Sequence, residues 1–351
     1  MYGNDGTGVA DLGPLPGWYL LQERFALPRR MTEPVTLSDI RAARDRIGST
    51  VLRTPLIPWQ GPPGRAKIHL KLDNLQPTGS FKVRGAGNSL AVAQEQGTIS
   101  GVYTTSAGNM AQALAWHARR LGIPCTAIVP DTAPEIKLAG IRRHGAEVIQ
   151  LSWEGVWDVM TEGRYEPLRD SLYVPPFNSG PMIAGNGTAG LEIFEDLPQL
   201  KRVYVPIGGG GLIAGVASAL RALAPQVEVI ACESEAAAPF TASLAAGTAT
   251  EVDRKASFVD GIGARNVLPE MWARLSGLVT SSRVLPLDQI ATAIRYCFES
   301  HHIVVEGAAG AAVAAALADP DPGGPAVAFV SGGNIDPAKL GVILEGKVPS
   351  S

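Results

Sequence analysis

Charged residues and cysteines are both scarce in this chain. Asp, Glu, Lys and Arg together make up 18% of its 351 residues, and there are three cysteines. The 30 basic and 33 acidic side chains nearly cancel, leaving a net charge of −3. With no long basic run, the chain has no electrostatic footprint for nucleic acid or an anionic membrane. Cys125, Cys232 and Cys297 stand far apart in apolar stretches (CTAIVP, VEVIACE, AIRYCFES). They read as buried small hydrophobes in a reducing, cytoplasmic compartment. No CxxC or Cys/His pairing suggests a metal site. No apolar run reaches the roughly 18 residues needed to span a bilayer. The opening MYGNDGTGVADLG has neither the basic nor the apolar region of a secretory signal.

What is present is apolar and rich in turns. Hydrophobic residues are 46% and glycines number 40. This excludes a disordered segment or a charged coiled coil and suits one large α/β domain or two intimately joined ones. Residues 1–34 are irregular, interrupted by Pro14, Pro16, Pro28 and Pro34. Met31 opens a fresh stretch, so the preceding residues are either a surface arm or lie before an alternative start. Thr36 and Asp39 have capping-box spacing before a helix through Ile47. Residues 66–72 alternate as a strand. Strands over 101–105, 125–130 and 146–151 then alternate with helices over 109–121 and 134–144. The stretch 152–170 leaves room for a short helix, and Trp153 and Trp157 within it are assigned to the core. A second α/β series runs through strands at 202–207, 227–232 and 326–330 and helices to about Leu223, over 287–300 and over 307–318. Short strand–helix–strand spacing favours right-handed crossovers and parallel sheets, hence two α/β lobes sharing a cleft.

Four segments carry the chemistry. TGSFKVRGAGN (78–88) places Lys82 at a turn entering a helix. TTSAGNMAQALA (104–115) turns through Ser106, Ala107, Gly108 and Asn109 into another. PIGGGGLIAG (206–215) sets Gly208, Gly209, Gly210 and Gly211 where a strand gives way to a helix. FVSGGN (329–334) ends a strand at Ser331. A lone lysine, an N-cap or a turn is ordinary, but four successive glycines cost folding entropy and expose consecutive N–H groups as an anion nest. Leu212 follows Gly211, so the lysine and Ser/Thr of a P-loop are missing. A GxGxxG opening with a following acidic residue is missing too. A phosphate nest and a candidate lysine without a nucleotide motif point to another phosphorylated cofactor.

In this order the four segments resemble the fold-type II pyridoxal-phosphate enzymes, and most of all their threonine/serine dehydratase (ammonia-lyase) and serine racemase branch. The resemblance covers about residues 36 to 340. It implies an α/β, tryptophan synthase β-like fold with two parallel-sheet lobes, the smaller inserted in the larger. It divides the chain into an N-terminal extension (1–35), a large cofactor-binding domain (36–103 and 180–351) and a small closing domain (104–179). It implies pyridoxal 5'-phosphate held by a Schiff base to Lys82, with Phe81 against the ring and Asn109 on the ring 3' oxygen. Gly208–Gly211 would hold the phosphate, and Ser331 would meet the pyridine nitrogen. Ser106, Ala107, Gly108 and Asn109 would hold the substrate carboxylate, Asp260 in FVDGIGARN would contact its hydroxyl, and Glu306 would lie near the ring edge. The implied reaction removes water and ammonia from a β-hydroxy amino acid such as threonine or serine, giving a 2-oxo acid, in a homodimer.

Departures shape that expectation. Ala107 stands where the racemases carry a serine, and alanine cannot move a proton. Met110 replaces a common histidine, offering an apolar flank for a larger side chain such as an aryl-serine or a hydroxyectoine-pathway intermediate. Asn178 and Ser179 replace a more acidic pair. Glu233 and Ala237 match a cation site found in some relatives, but Pro239 stands where its Asp is expected, so no metal is assigned. The chain ends too soon after residue 347 for a regulatory domain. The alternatives are a β-replacement or threonine-synthase-like enzyme, and a cofactor-binding scaffold without catalysis.

Overall fold

The computed structural model describes residues 33–63, 67–321 and 323–350. Met31 and nearly all of the expected N-terminal arm lie outside the described residues.

Two sheets organise the molecule. The larger has six strands: β1 (Leu56–Pro58), β2 (Ile68–Leu72), β7 (Arg202–Pro206), β8 (Glu228–Ser234), β9 (Ser281–Leu285) and β10 (Ala326–Val330). Their spatial order is β1-β2-β10-β7-β8-β9. Only β1 is antiparallel to its neighbour. The smaller sheet is fully parallel, with order β5-β4-β3-β6: β3 (Val102–Thr105), β4 (Cys125–Pro130), β5 (Glu147–Leu151) and β6 (Leu172–Tyr173). These central strands are buried apolar runs, as parallel strands covered on both faces must be. The smaller sheet thus begins at Val102, inside the first lobe as the sequence divides it.

Helices cover both sheets. α1 (Leu37–Ile47) starts at Thr36, whose hydroxyl accepts from the Asp39 N–H while the Asp39 carboxylate accepts from the Thr36 N–H. α2 (Lys82–Gln96) and α3 (Asn109–Leu121) begin at the lysine and asparagine motifs. α4 (Glu135–Arg143) follows β4. α5 (Trp153–Glu162) is the short helix for which 152–170 left room, capped by Ser152 and ended by Gly163 in the left-handed region. Trp153 is not in the core: 58% of it is exposed, and with Trp157 it faces a cavity. The core contacts of α5 are made instead by Val156 and Val159.

α6 (Gly180–Asp196) crosses between the lobes, and α7 (Gly211–Leu223) packs on it through small residues. A Cβ on Gly215 would lie 2.4 Å from the Ile183 carbonyl oxygen, so this approach requires glycine. The remaining helices are α8 (Pro239–Ala246), α9 (Pro269–Leu275), α10 (Leu287–His301), α11 (Gly307–Ala318) and α12 (Pro337–Leu344). Cys125, Cys232 and Cys297 are buried free thiols. Among the described residues no helix is long and apolar enough to cross a membrane.

A buried charge cluster joins β2, α2 and α6. The Arg84 guanidinium donates to both oxygens of Asp73 at 2.6 and 2.9 Å and to both of Glu192 at 2.6 and 2.9 Å. Lys71 donates to Glu192 at 2.5 Å and to the Thr54 carbonyl at 2.7 Å. Two cations meet two anions, so no net charge is buried. Burial pushes Asp73 towards the neutral acid, but Arg84 and Lys71 overcome it and hold the carboxyl below its ordinary value. The stability this provides is therefore complete above the unfolded pKa of about 4 and is lost only as pH falls through the lower native value.

Arg84→Met keeps much of the volume but leaves two buried anions facing Lys71 alone. It is expected to cost about 3–5 kcal/mol in denaturant unfolding, the range for breaking a buried pair. A loss below about 1 kcal/mol would contradict the anchoring role of this cluster.

Candidate active site

Parallel strands of one sheet end at a common edge, and ligands of open α/β sheets bind there. In the larger sheet, β7 runs into Gly208 and β10 into Ser331. In the smaller sheet, β3 runs into the Ser106–Asn109 turn. These edges bound one cavity of about 350 Å³. Every site residue expected from the sequence lines it: Phe81 and Lys82, the Ser106–Asn109 turn, Gly208–Gly211, Asp260 and Ser331.

Lys82 sits at the first position of α2, and backbone bonds fix that start. Phe81 N–H donates to the Ser331 carbonyl at 2.9 Å, and Gly333 N–H donates to the Gly79 carbonyl at 2.9 Å. The Lys82 amine donates to the Pro176 carbonyl at 2.5 Å. Burial pulls its pKa down to about 8, partly offset by the Glu306 carboxylate. A substantial fraction is therefore free amine near neutral pH, as a nucleophile or base requires.

Across the cavity, the Asn109 amide donates to both oxygens of Glu306 at 3.0 Å. Its own oxygen accepts from Asn334 at 2.8 Å, and Asn334 also donates to the Thr78 carbonyl. Burial raises the Glu306 pKa to about 7; the Asn109 bond opposes this and Asp260 adds to it. Asp260 pairs with Lys137 from α4, so the pair bridges the two lobes. Lys137 carries no motif that marks it in the sequence. Asn334 lies inside SGGN, but its role is visible only once β10 and α2 are adjacent.

The glycine turn is crowded on one side. A Cβ on Gly209 would lie 2.4 Å from the Phe177 ring, and one on Gly211 would lie 2.3 Å from the Phe177 carbonyl oxygen. Gly210 adopts φ +88°, which favours glycine. The first N–H groups of α7 lack intrahelical partners and the helix dipole favours an anion there. Ser331 Oγ is buried without a hydrogen-bond partner. An orphaned buried hydroxyl, an anion-receptive turn and a low-pKa amine on one cavity fit a phosphorylated heteroaromatic aldehyde. Pyridoxal phosphate has these three features: a phosphate, a ring nitrogen and a carbonyl carbon.

Other expected positions have local duties. Met110 is 1% exposed and belongs mostly to the smaller lobe's core, although it also touches the cavity. Ser179 caps α6, and Asn178 donates to Glu270. Both Glu233 oxygens are engaged at the start of α8, accepting from the Phe240 and Thr241 N–H groups and the Thr241 hydroxyl. Among the described residues no group of three or more His, Cys, Asp or Glu could hold a metal.

Comparison with known proteins agrees with this chemistry. The chain is 40% identical over 308 residues to an L-threonine ammonia-lyase of Thermotoga maritima, covering 86% of this chain and 76% of that one. The maize serine racemase structure superposes with a TM-score of 0.80 at 31% identity, covering 88% and 96%. A bacterial threonine deaminase structure, from T.th., does so with a TM-score of 0.75 at 31% identity, covering 86% and 99%. Residues 47–332 match the family described as pyridoxal-phosphate dependent enzyme. By sequence, fold and the groups gathered in its cleft, this chain belongs to the pyridoxal-phosphate-dependent enzymes.

Proposed function

We propose that the chain is an ammonia-lyase that removes water and ammonia from a β-hydroxy amino acid, threonine or serine among them, to give a 2-oxo acid. The observation that carries this reading is the position of the Lys82 amine, with a pKa lowered to about 8, in the same cavity as the glycine turn and the unpartnered Ser331 hydroxyl. Bound pyridoxal phosphate supplies an electron sink for the charge left when a bond at the substrate Cα breaks.

The remaining roles belong to the chain. Lys82 anchors the cofactor and, once displaced by the substrate amine, takes the proton from Cα. Gly208–Gly211 and the start of α7 hold the phosphate. Ser331 offers a hydroxyl rather than a carboxylate to the ring nitrogen, so nothing there enforces its protonation. The Ser106–Asn109 turn, at the start of α3, orients the substrate carboxylate. Asp260, steadied by Lys137, faces the departing β-hydroxyl. The lobes meet across this site, residues 104–179 closing on the remainder, and their closure excludes water.

Ala107 brings no ionisable group to the cavity wall, which favours elimination over racemisation, a reaction needing a second proton carrier. We read the molecule as a cytoplasmic homodimer, a reading supported by its three reduced, buried thiols and by its family.

Three outcomes test this reading. Lys82→Ala is expected to lower release of ammonia and 2-oxo acid from a panel of β-hydroxy amino acids by roughly 10²–10⁴-fold. Retained turnover would refute the mechanism. Gly209→Ala, whose methyl meets Phe177, is expected to weaken retention of pyridoxal phosphate on dialysis at least tenfold while the fold persists by circular dichroism.

The third outcome concerns the cofactor-free protein. Glu306 keeps its proton to about pH 7 in the native state but loses it near 4.5 when unfolded. Between those values the unfolded state binds fewer protons, so stability falls as pH rises. Glu306→Gln is expected to flatten that decline, measured as Tm from pH 4.5 to 7. An unchanged slope would show that Glu306 does not titrate there.

A further inference from the structure

A second cavity, of about 840 Å³, lies on the far side of the glycine turn, sharing Phe177 and Gly209 with the first. One wall is α5 of the smaller lobe, and the other is the 251–268 segment of the larger lobe. We propose that this cavity is a binding site for a second amino acid, one with an aromatic side chain, distinct from the substrate.

Its chemistry selects that class. Trp153 and Trp157 are four residues apart on α5, so their indoles share one helix face. An indole that is 58% exposed is costly to leave in water unless an aromatic or cationic partner covers it. Met160 and Leu268 extend the apolar wall. Charges of both signs stand at the rim. Arg254 makes no ion pair among the described residues, and neither do Glu154 and Asp158. Glu251 faces Arg265 at 4.0 Å. A free guanidinium suits a carboxylate, free carboxylates suit an ammonium, and paired indoles suit an aryl ring. A simple aromatic acid would leave the two carboxylates unmatched, and a simple amine would leave the arginine so.

Position gives the site a consequence. A ligand held by α5 and by the 251–268 segment couples the two lobes whose relative movement opens the substrate cleft, and it packs against Phe177, which backs the phosphate turn. It therefore acts on substrate affinity by differential binding to open and closed forms.

The test uses holoenzyme and L-phenylalanine as the probe. Calorimetric titration is expected to resolve two sites per chain. One is accompanied by a change in the cofactor absorbance band; the other instead quenches indole fluorescence. Trp153→Ala and Arg254→Ala, both at exposed positions, are expected to weaken the second site at least tenfold and leave the cofactor response unchanged. L-alanine is expected to show no second site. A single site per chain for L-phenylalanine, or a second site that survives both substitutions, would overturn the proposal. Because the cofactor band is read separately, that failure is distinguishable from a failure of the lyase reading.

Discussion

The placement of Arg84 fixes the chemistry available to Lys82. The two residues are separated by a single position at the start of α2, yet their surroundings are opposite. Arg84 meets two carboxylates and stays charged, its affinity for the proton raised by them. Lys82 points into a cavity with only a carbonyl oxygen in direct contact and is driven towards the free amine. A lysine on a helix that could slide or rotate would find water or a carboxylate and recover its ordinary pKa. The Asp73–Arg84–Glu192–Lys71 cluster prevents that movement, because shifting α2 would separate buried charges at a cost of several kcal/mol. The reactive amine thus depends on a salt-bridge cluster that never touches substrate.

The same logic extends outward from α2. Phe81 and Gly79 are bonded to the segment after β10, so the lysine and Ser331 move as one body. The glycine turn is positioned by β7, which pairs with β10 in the same sheet. The part of the site attached to the smaller sheet is the Ser106–Asn109 turn with Lys137. The cavity is therefore divided between a rigid half that holds cofactor and a separate half that carries the substrate carboxylate and the Lys137–Asp260 bridge. Such a division lets the substrate side open without disturbing the groups that set pKa values, which suits an enzyme that must exclude water and then release product.

Much of this is legible in the residues alone. The helices at Asn109–Leu121 and Gly307–Ala318 and the strands at 125–130 and 326–330 announce themselves because glycine, proline and strong periodicity bound them. α5 is harder because Trp153, Val156, Trp157 and Met160 give an apolar pattern with two possible faces. Only packing reveals that the valines go inward and the indoles outward. α8, α9 and β9 carry short, weakly patterned sequences and are held by neighbours rather than by propensity. The four site motifs can be read because each joins a strand end to a turn with unusual composition. Lys137 and Asn334 cannot, since their partners Asp260 and Asn109 lie 123 and 225 residues away. Met110 reads as a cavity residue, but it faces mainly inward because α3 needs its bulk against the small lobe's core.

The Asn109–Glu306 pair shows how the cleft can be set in place before any ligand arrives. Asn109 directs its amide nitrogen at both oxygens of one carboxylate, while its oxygen is occupied by Asn334. The amide is thereby oriented, because a flipped Asn109 would turn its oxygen towards Glu306 and its nitrogen towards Asn334. Two N–H groups aimed at a single carboxylate are more than that carboxylate needs once it is protonated, and burial raises the Glu306 pKa to about 7. Near neutrality one N–H of Asn109 can be released to a new acceptor without leaving a buried charge unpaired. A glutamate with its ordinary pKa would hold both donors and resist the exchange. The raised pKa of Glu306 thus keeps Asn109 both fixed in direction and free to donate, and preorganised donors of this kind stabilise developing charge at little reorganisation cost.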